Sequence, residues 1–222
     1  MKTKSQTNRI VLMAIVAIAA VSNVWAQTMP TAPTEEVLVD RWGIKGGINI
    51  ATVSFENANN AVLESVVGAA AGVTLEHPFN ANWFFHSGLE FSMKGFELGS
   101  GSSTTLTATA IYLLLPASVG YKFNIGKGWK LEPRLGLYLA YGVAGDTSLS
   151  SSGDSGSVST FGDEIFKPLD YGTMGGFFFD NNQVVIGLHS EIGMSEVNGN
   201  SFKVTGTKAH NSNVSITVGY LF

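Results

Sequence analysis

The chain contains no cysteine in 222 residues. Disulfides, thiolate chemistry and a lipid-modified lipoprotein anchor are therefore excluded. Charge is also scarce: Asp, Glu, Lys and Arg make up 14% of the residues. Asp+Glu outnumber Lys+Arg by 17 to 13, and phosphate binding needs a basic footprint, so nucleic acid is not expected as a partner. Long apolar runs are missing as well. The one that exists, residues 10–21, is 12 residues long, too short for a spanning helix, which takes about 20.

That run has a specific setting. Lys2, Lys4 and Arg9 precede it, and Val24 and Ala26 supply small residues just before Gln27. A basic start, a short apolar core and a small-residue cleavage site read as a secretory signal peptide over 1–26, cleaved near Ala26/Gln27. An uncleaved anchor is the alternative. Removing Lys2, Lys4 and Arg9 from the 13 Lys+Arg leaves 10 against 17 Asp+Glu, a mature net charge of −7. Residues 27–40, with Pro30, Pro33, Glu35, Glu36 and Asp40, are expected to form an acidic periplasmic leader; a docking segment is the other reading.

Hydrophobic residues still make up 45% of the chain, so they are dispersed with some period. The period is two. Trp129, Leu131, Pro133, Leu135, Leu137, Leu139, Tyr141 and Val143 alternate with Lys130, Glu132, Arg134, Gly136, Tyr138, Ala140 and Gly142. Successive strand side chains point to opposite faces, so one face is greasy and the other small or polar. The pattern recurs over 42–50, 67–76, 83–94, 111–123, 169–179, 184–194 and 214–222. Each segment is near or above the roughly 9–11 residues a tilted strand needs to cross a bilayer.

The connections alternate too. Residues 78–82, 124–128 and 180–183 are short and carry Asn, Gly, Pro and Asp turn chemistry. Residues 52–65, 97–107, 145–165 and 197–212 are longer, and the Ser-rich stretch 148–160 reads as a solvated, flexible loop. Short turns on one side and long loops on the other are the habit of outer-membrane barrels. Aromatics at strand ends, such as Trp42, Trp83, Tyr121, Trp129, Tyr220 and Phe222, suit interfacial girdles. The expected fold is therefore all-β: an eight-stranded antiparallel up-and-down transmembrane β-barrel over 41–222, in contact with outer-membrane lipid. A soluble lipocalin-like barrel is the alternative, but it would carry more charge on its outer face.

The charges on the polar face define the candidate site. Lys45, Lys94, Lys122, Lys130 and Arg134 oppose Glu76, Glu90, Glu132, Asp170 and Glu191, with His86 and His189 beside them. A barrel of this size has room only for its own side chains, and unpaired buried charges are costly. A paired network filling the lumen is expected; a narrow polar ion path is the functional alternative. His189 and Glu191 share a face, but Ser190 points to the other, which breaks a Ser–His dyad locally, so no catalytic residue is assigned. His77, His86 and His210 lack ligand spacing, so neither a metal nor another cofactor is expected.

Several segments resemble PorT-like outer-membrane β-barrel proteins. These are Gly43-Ile44-Lys45-Gly46-Gly47-Ile48-Asn49, Tyr112-Leu113-Leu114-Leu115-Pro116 running on to Gly120-Tyr121-Lys122-Phe123, Leu135-Gly136-Leu137-Tyr138, Asp170-Tyr171-Gly172 and Val218-Gly219-Tyr220-Leu221-Phe222. In size the chain also resembles the barrel part of OmpA/OmpX-type proteins, with no C-terminal periplasmic domain and hence no peptidoglycan anchoring expected. The resemblance implies insertion by the barrel-assembly machinery, with Val218, Tyr220 and Phe222 as the C-terminal assembly signal. It implies no single activity. A structural or interaction role through four external loops and a protein partner is the leading expectation. A narrow pore or a component of a secretion complex comes next, and a membrane-embedded lipid hydrolase last.

Overall fold

Branched and aromatic side chains alternating with small ones favour extended chain. In the computed structural model, which describes residues 38–56, 63–100, 104–151, 154–161, 166–199 and 208–222, this pattern forms eleven strands. They are β1 (Arg41–Glu56), β2 (Leu63–Pro78), β3 (Trp83–Ser100), β4 (Thr104–Tyr121), β5 (Phe123–Gly126), β6 (Trp129–Ala144), β7 (Asp146–Ser151), β8 (Asp154–Ser159), β9 (Leu169–Asn181), β10 (Val184–Gly193) and β11 (Lys208–Leu221). The expected signal peptide and all but the last three residues of the expected leader lie outside the described residues.

Eight strands close a ring in the order β1-β2-β3-β4-β6-β9-β10-β11, each antiparallel to its neighbours. The seam joins the first and last of them, from Gly43 opposite Leu221 to Glu56 opposite Lys208. The other three strands extend the ring. β5 continues β4 beyond Lys122 and turns into β6. β7 continues β6 beyond Gly145 and stays paired to β4, from Ala108 opposite Thr147 to Thr104 opposite Ser151. β8 then folds back on β7.

Two expected loops are thus strand. Residues 97–100 and 104–107 are the paired ends of β3 and β4, running to Ser100 opposite Thr104, with residues 101–103 outside the described residues. The Ser-rich stretch 148–160 is the β7–β8 hairpin, with residues 152–153 outside the described residues. Composition misleads at both places. Thr107 and Thr109 are β-branched and extend the outward stripe of β4, and the serines of β7 pair with β4 backbone that is already extended. The walls are correspondingly tall. The 18 residues of β3 rise roughly 45 Å at a barrel tilt near 40°, against an apolar band of about 25 Å.

The other end is trimmed by tight turns. Gly126, Lys127 and Gly128 adopt φ of 93°, 54° and 80° and reverse the chain into β6, and Asn182 at φ 57° turns β9 into β10. Asn80 Oδ1 accepts from the amides of Asn82 and Trp83, both at 2.9 Å. Arg41 Nη1 donates to the Asn182 carbonyl at 2.9 Å, tying the start of β1 to the β9–β10 turn.

Large apolar side chains point outward along every ring strand, among them Ile44, Val73, Leu89, Leu115, Leu137, Phe177, Leu188 and Ile216. Trp42, Trp83, Phe179, Tyr220 and Phe222 form an aromatic girdle near the turn end. Pro116, in the middle of β4, has no N–H for the ladder. The β3–β4 register lapses there, between Ser87–Ala117 and Glu90–Leu114, and the Ser87 hydroxyl donates to the Pro116 carbonyl at 2.9 Å. Backbone groups at hydrocarbon depth need such internal partners.

Candidate functional site

The inward positions fill the barrel from end to end. At the turn end three cations meet three carboxylates. Arg41 bridges Glu76 and Asp180, the latter at 2.9 Å. Arg134 reaches Glu76 at 2.7 Å and Glu132 at 2.6 Å. Lys122 sits 3.2 Å from Glu76, 3.7 Å from Glu132 and 3.9 Å from Asp180. The Arg134 guanidinium lies 4.1 Å from the Phe178 ring and 5.1 Å from the Phe84 ring, and Lys122 lies 4.7 Å above Phe84. Glycine makes room for both rings: a Cβ on Gly120 would overlap Phe84, and one on Gly187 would overlap Phe178.

Deeper in, Lys45 pairs with Glu90. Lys45, Glu76, His86, Arg134 and Phe178 line a cavity of about 20 Å³, enough for one water molecule. His189 stacks on Phe178, with ring centroids 5.6 Å apart. Beyond it Lys94 reaches Glu191 at 2.8 Å and Asp170 at 3.6 Å, between the faces of Tyr138 and Tyr112 at 4.5 and 5.5 Å. Asp170 accepts from Ser195 Oγ at 2.7 Å, Asn211 Nδ2 at 2.9 Å and Tyr138 Oη at 3.1 Å. A carboxylate with this many donors is fixed in place.

The long-loop end is closed by an apolar plug. Phe166 and Val197, from the β8–β9 and β10–β11 connections, enter the barrel mouth and pack with Val53, Phe96, Ala108 and Ala209. Phe96 and Phe166 meet edge to face at 5.7 Å. Phe161 packs against the same plug and against Tyr112 below it, at 5.7 Å.

Of the expected lumen charges, Lys45, Glu76, Glu90, Lys94, Lys122, Glu132, Arg134, Asp170 and Glu191 all lie in these ion pairs, and His189 is buried among them. Lys130 is a correction. It is half-exposed and takes part in none of the ion pairs, because the β5–β6 hairpin, where it faces Asn124, holds it at the rim beside water. Arg41 and Asp180 were missed, since they sit on expected element boundaries; their parity with Lys45 and Asp170 was the available signal. Ser190 is half-buried on the outer face and donates to the Asn213 carbonyl at 3.0 Å, on the side opposite His189. Of the histidines weighed as ligands, His77 is exposed beside Asp40, His210 bonds the Ser195 carbonyl and only His86 faces the lumen. His189, Glu90 and Glu191 do converge, with ligand atoms within 4.8 Å of one another. Spacing along the chain could not show this, because Glu90 comes from β3, across the barrel from β10.

The outward apolar belt, the closed antiparallel ring and the polar filled lumen together describe a barrel built for lipid. The family model described as an outer membrane protein beta-barrel domain matches residues 25–199. The chain belongs to that family. This outer-membrane barrel protein is similar to several solved structures. The Yersinia pestis attachment invasion locus protein Ail shares 18% identity over 82% of this chain and 98% of its own, at a TM-score of 0.42. OprG from Pseudomonas aeruginosa shares 16% over 83% and 97%, at 0.44, and Neisserial surface protein A shares 15% over 82% and 97%, at 0.45. No curated protein matches the sequence. The family match ends before β11, the strand that closes the ring onto β1.

Proposed function

We propose that this protein is a PorT-like, non-conducting barrel that presents the β7–β8 hairpin and the neighbouring connections outside the cell as a surface for a protein partner. The observation that carries the reading is the filled lumen: charge pairs at the turn end, a hydrogen-bonded layer around Asp170, and the Phe96–Phe166 plug at the mouth. A wall extended well beyond the apolar band, with exposed Ser157 and Val158 on β8, is support without transport. In this reading residues 1–26 direct export and are removed near Ala26/Gln27, and 27–40 remain periplasmic. The barrel-assembly machinery recognises β11 through Val218, Tyr220 and Phe222, all of which point outward.

The test is conductance of the refolded mature protein in planar bilayers. No unitary steps are expected. Steps that shrink on Glu132→Gln or Arg134→Gln would overturn the reading in favour of an ion path. Partner contact is tested separately with Ser157→Cys, which introduces a single thiol into a cysteine-free chain. Crosslinking on intact cells is expected to trap one protein at this position and not at Val184→Cys near the turn end.

A further inference from the structure

Three buried groups converge halfway along the lumen. Glu90 of β3 and His189 and Glu191 of β10 place one ligand atom each within 4.8 Å of the others, and all three are at most 2% exposed. Convergence of acidic groups alone is common. Two further observations distinguish this place.

The first is His189. Both of its ring nitrogens are buried and neither has a hydrogen-bond partner; its nearest ion-pairing atom, Glu191 Oε1, is 3.9 Å from Nε2. A buried imidazole with two idle nitrogens is costly, and such groups call for an explanation. Asn213, whose Nδ2 reaches Glu191 at 3.4 Å, leaves its Oδ1 without a partner as well. The second is charge. The turn-end cluster balances three cations, Arg41, Lys122 and Arg134, against Glu76, Glu132 and Asp180. The inner cluster has Lys45 and Lys94 against Glu90, Asp170 and Glu191, which leaves one carboxylate unanswered. The excess negative charge and the idle imidazole are in the same place.

We propose that Glu90, His189 and Glu191 bind one divalent transition-metal ion of the zinc, cobalt and nickel class. One neutral imidazole and two carboxylates are a donor set such ions accept, with a fourth position left open. Bonds of about 2.0–2.2 Å in a tetrahedral shell put ligand atoms roughly 3.4 Å apart, so the carboxylates must close in by about 1 Å. Lys45 and Lys94 hold them in the metal-free state, and rotamer changes that loosen those two contacts complete the shell. Asp170 stays with Lys94, Ser195 and Asn211 and keeps the displaced ammonium neutralised. Entry is from the turn end, where the polar cavity lined by Lys45 and His86 approaches the triad.

The experiment is Co2+ titration of the full mature protein refolded in detergent, followed by its visible d–d bands. A Zn2+ competition against a chromophoric chelator gives affinity, and heat-modifiable gel mobility certifies the fold of each variant. One ion per folded barrel is expected, with none taken up by the urea-unfolded chain. His189→Ala and, independently, Glu90→Gln are each expected to weaken binding by at least about 100-fold, because losing a direct ligand costs more than the roughly 10–100-fold lost with a residue that only orients one. His77→Ala, at an exposed position, is expected to change nothing. If His189→Ala does not fold, Glu90→Gln carries the test, since it keeps the side-chain volume. Absence of stoichiometric uptake by the folded protein would overturn the proposal. So would uptake that survives both lumen variants, or that disappears with His77→Ala.

Discussion

Lys94 offers the sharpest test of the filled lumen. It is 2% exposed, and its partners Glu191 and Asp170 are 1% and 0% exposed. The ammonium is 2.8 Å from one and 3.6 Å from the other, and lies over the Tyr138 ring at 4.5 Å. Lys94→Met keeps the length and most of the volume of the stem and removes only the charge. Two carboxylates then share a water-poor layer with no cation of their own. Breaking a buried pair by deleting one partner costs about 3–5 kcal/mol. Two carboxylates are stranded here, so the upper end of that range, about 5 kcal/mol, is expected. Asp170 keeps its three neutral donors, so most of the loss falls on Glu191. Pairing Lys94→Met with Glu191→Gln should therefore recover about 2–3 kcal/mol, a coupling of the size seen between contacting residues. The assay is reversible urea unfolding in lipid vesicles, followed by fluorescence of the girdle tryptophans. A loss below about 1 kcal/mol for Lys94→Met, or a double variant no better than the single, would refute the claim that this charge is buried and paired.

Other outcomes follow from the same structure. Gly120→Ala puts a methyl group into the Phe84 ring and is expected to cost about 1–3 kcal/mol in the same unfolding assay; a neutral result would mean Phe84 has room to turn. Leu137→Arg, on the lipid face in the middle of β6, is expected to cost about 2–4 kcal/mol. Leu149→Arg, on β7 above the membrane, should stay within about 0.5 kcal/mol of wild type; equal costs would place β7 in lipid. Phe166→Ala removes the ring that meets Phe96 in the mouth and is expected to admit a thiol reagent to a cysteine placed at Thr160, a buried position, faster than in the parent; unchanged labelling would mean the plug does not seal the lumen.

The ring and its sidedness were legible because period two continues across a whole strand: every inward residue of β6 from Glu132 to Gly142 follows from the position of Leu135. Composition was a weaker guide. Ser148 and Thr107 carry loop-forming and strand-forming tendencies alike, and the pairing of β7 to β4 decides between them. Arg41 and Asp180 were lost at element boundaries, where parity is easily abandoned one residue too soon. Lys130 has the right parity but sits at the rim, and parity alone carries no depth. Phe166 and Val197 had no signal at all, being lone apolar residues in connections. Which inward residues meet across the lumen, such as Glu90 and His189, depends on the stagger of the closed ring, which no local pattern encodes.

The seam between β1 and β11 also constrains the order of events during assembly. Gly43 finds Leu221 only once β11 has arrived, so the ring has two raw edges until that strand is in place. The ion pair from Arg41 to Asp180 and the hydrogen bond from Asn211 to Tyr112 span 139 and 99 positions. Contacts this far apart in sequence form late, because the intervening chain must give up its freedom first. The lumen is thus wet and its charges are solvated while the sheet is open, and they are stripped of water as the seam zips. Closure and desolvation are one step, and the activation barrier to insertion is expected to sit there.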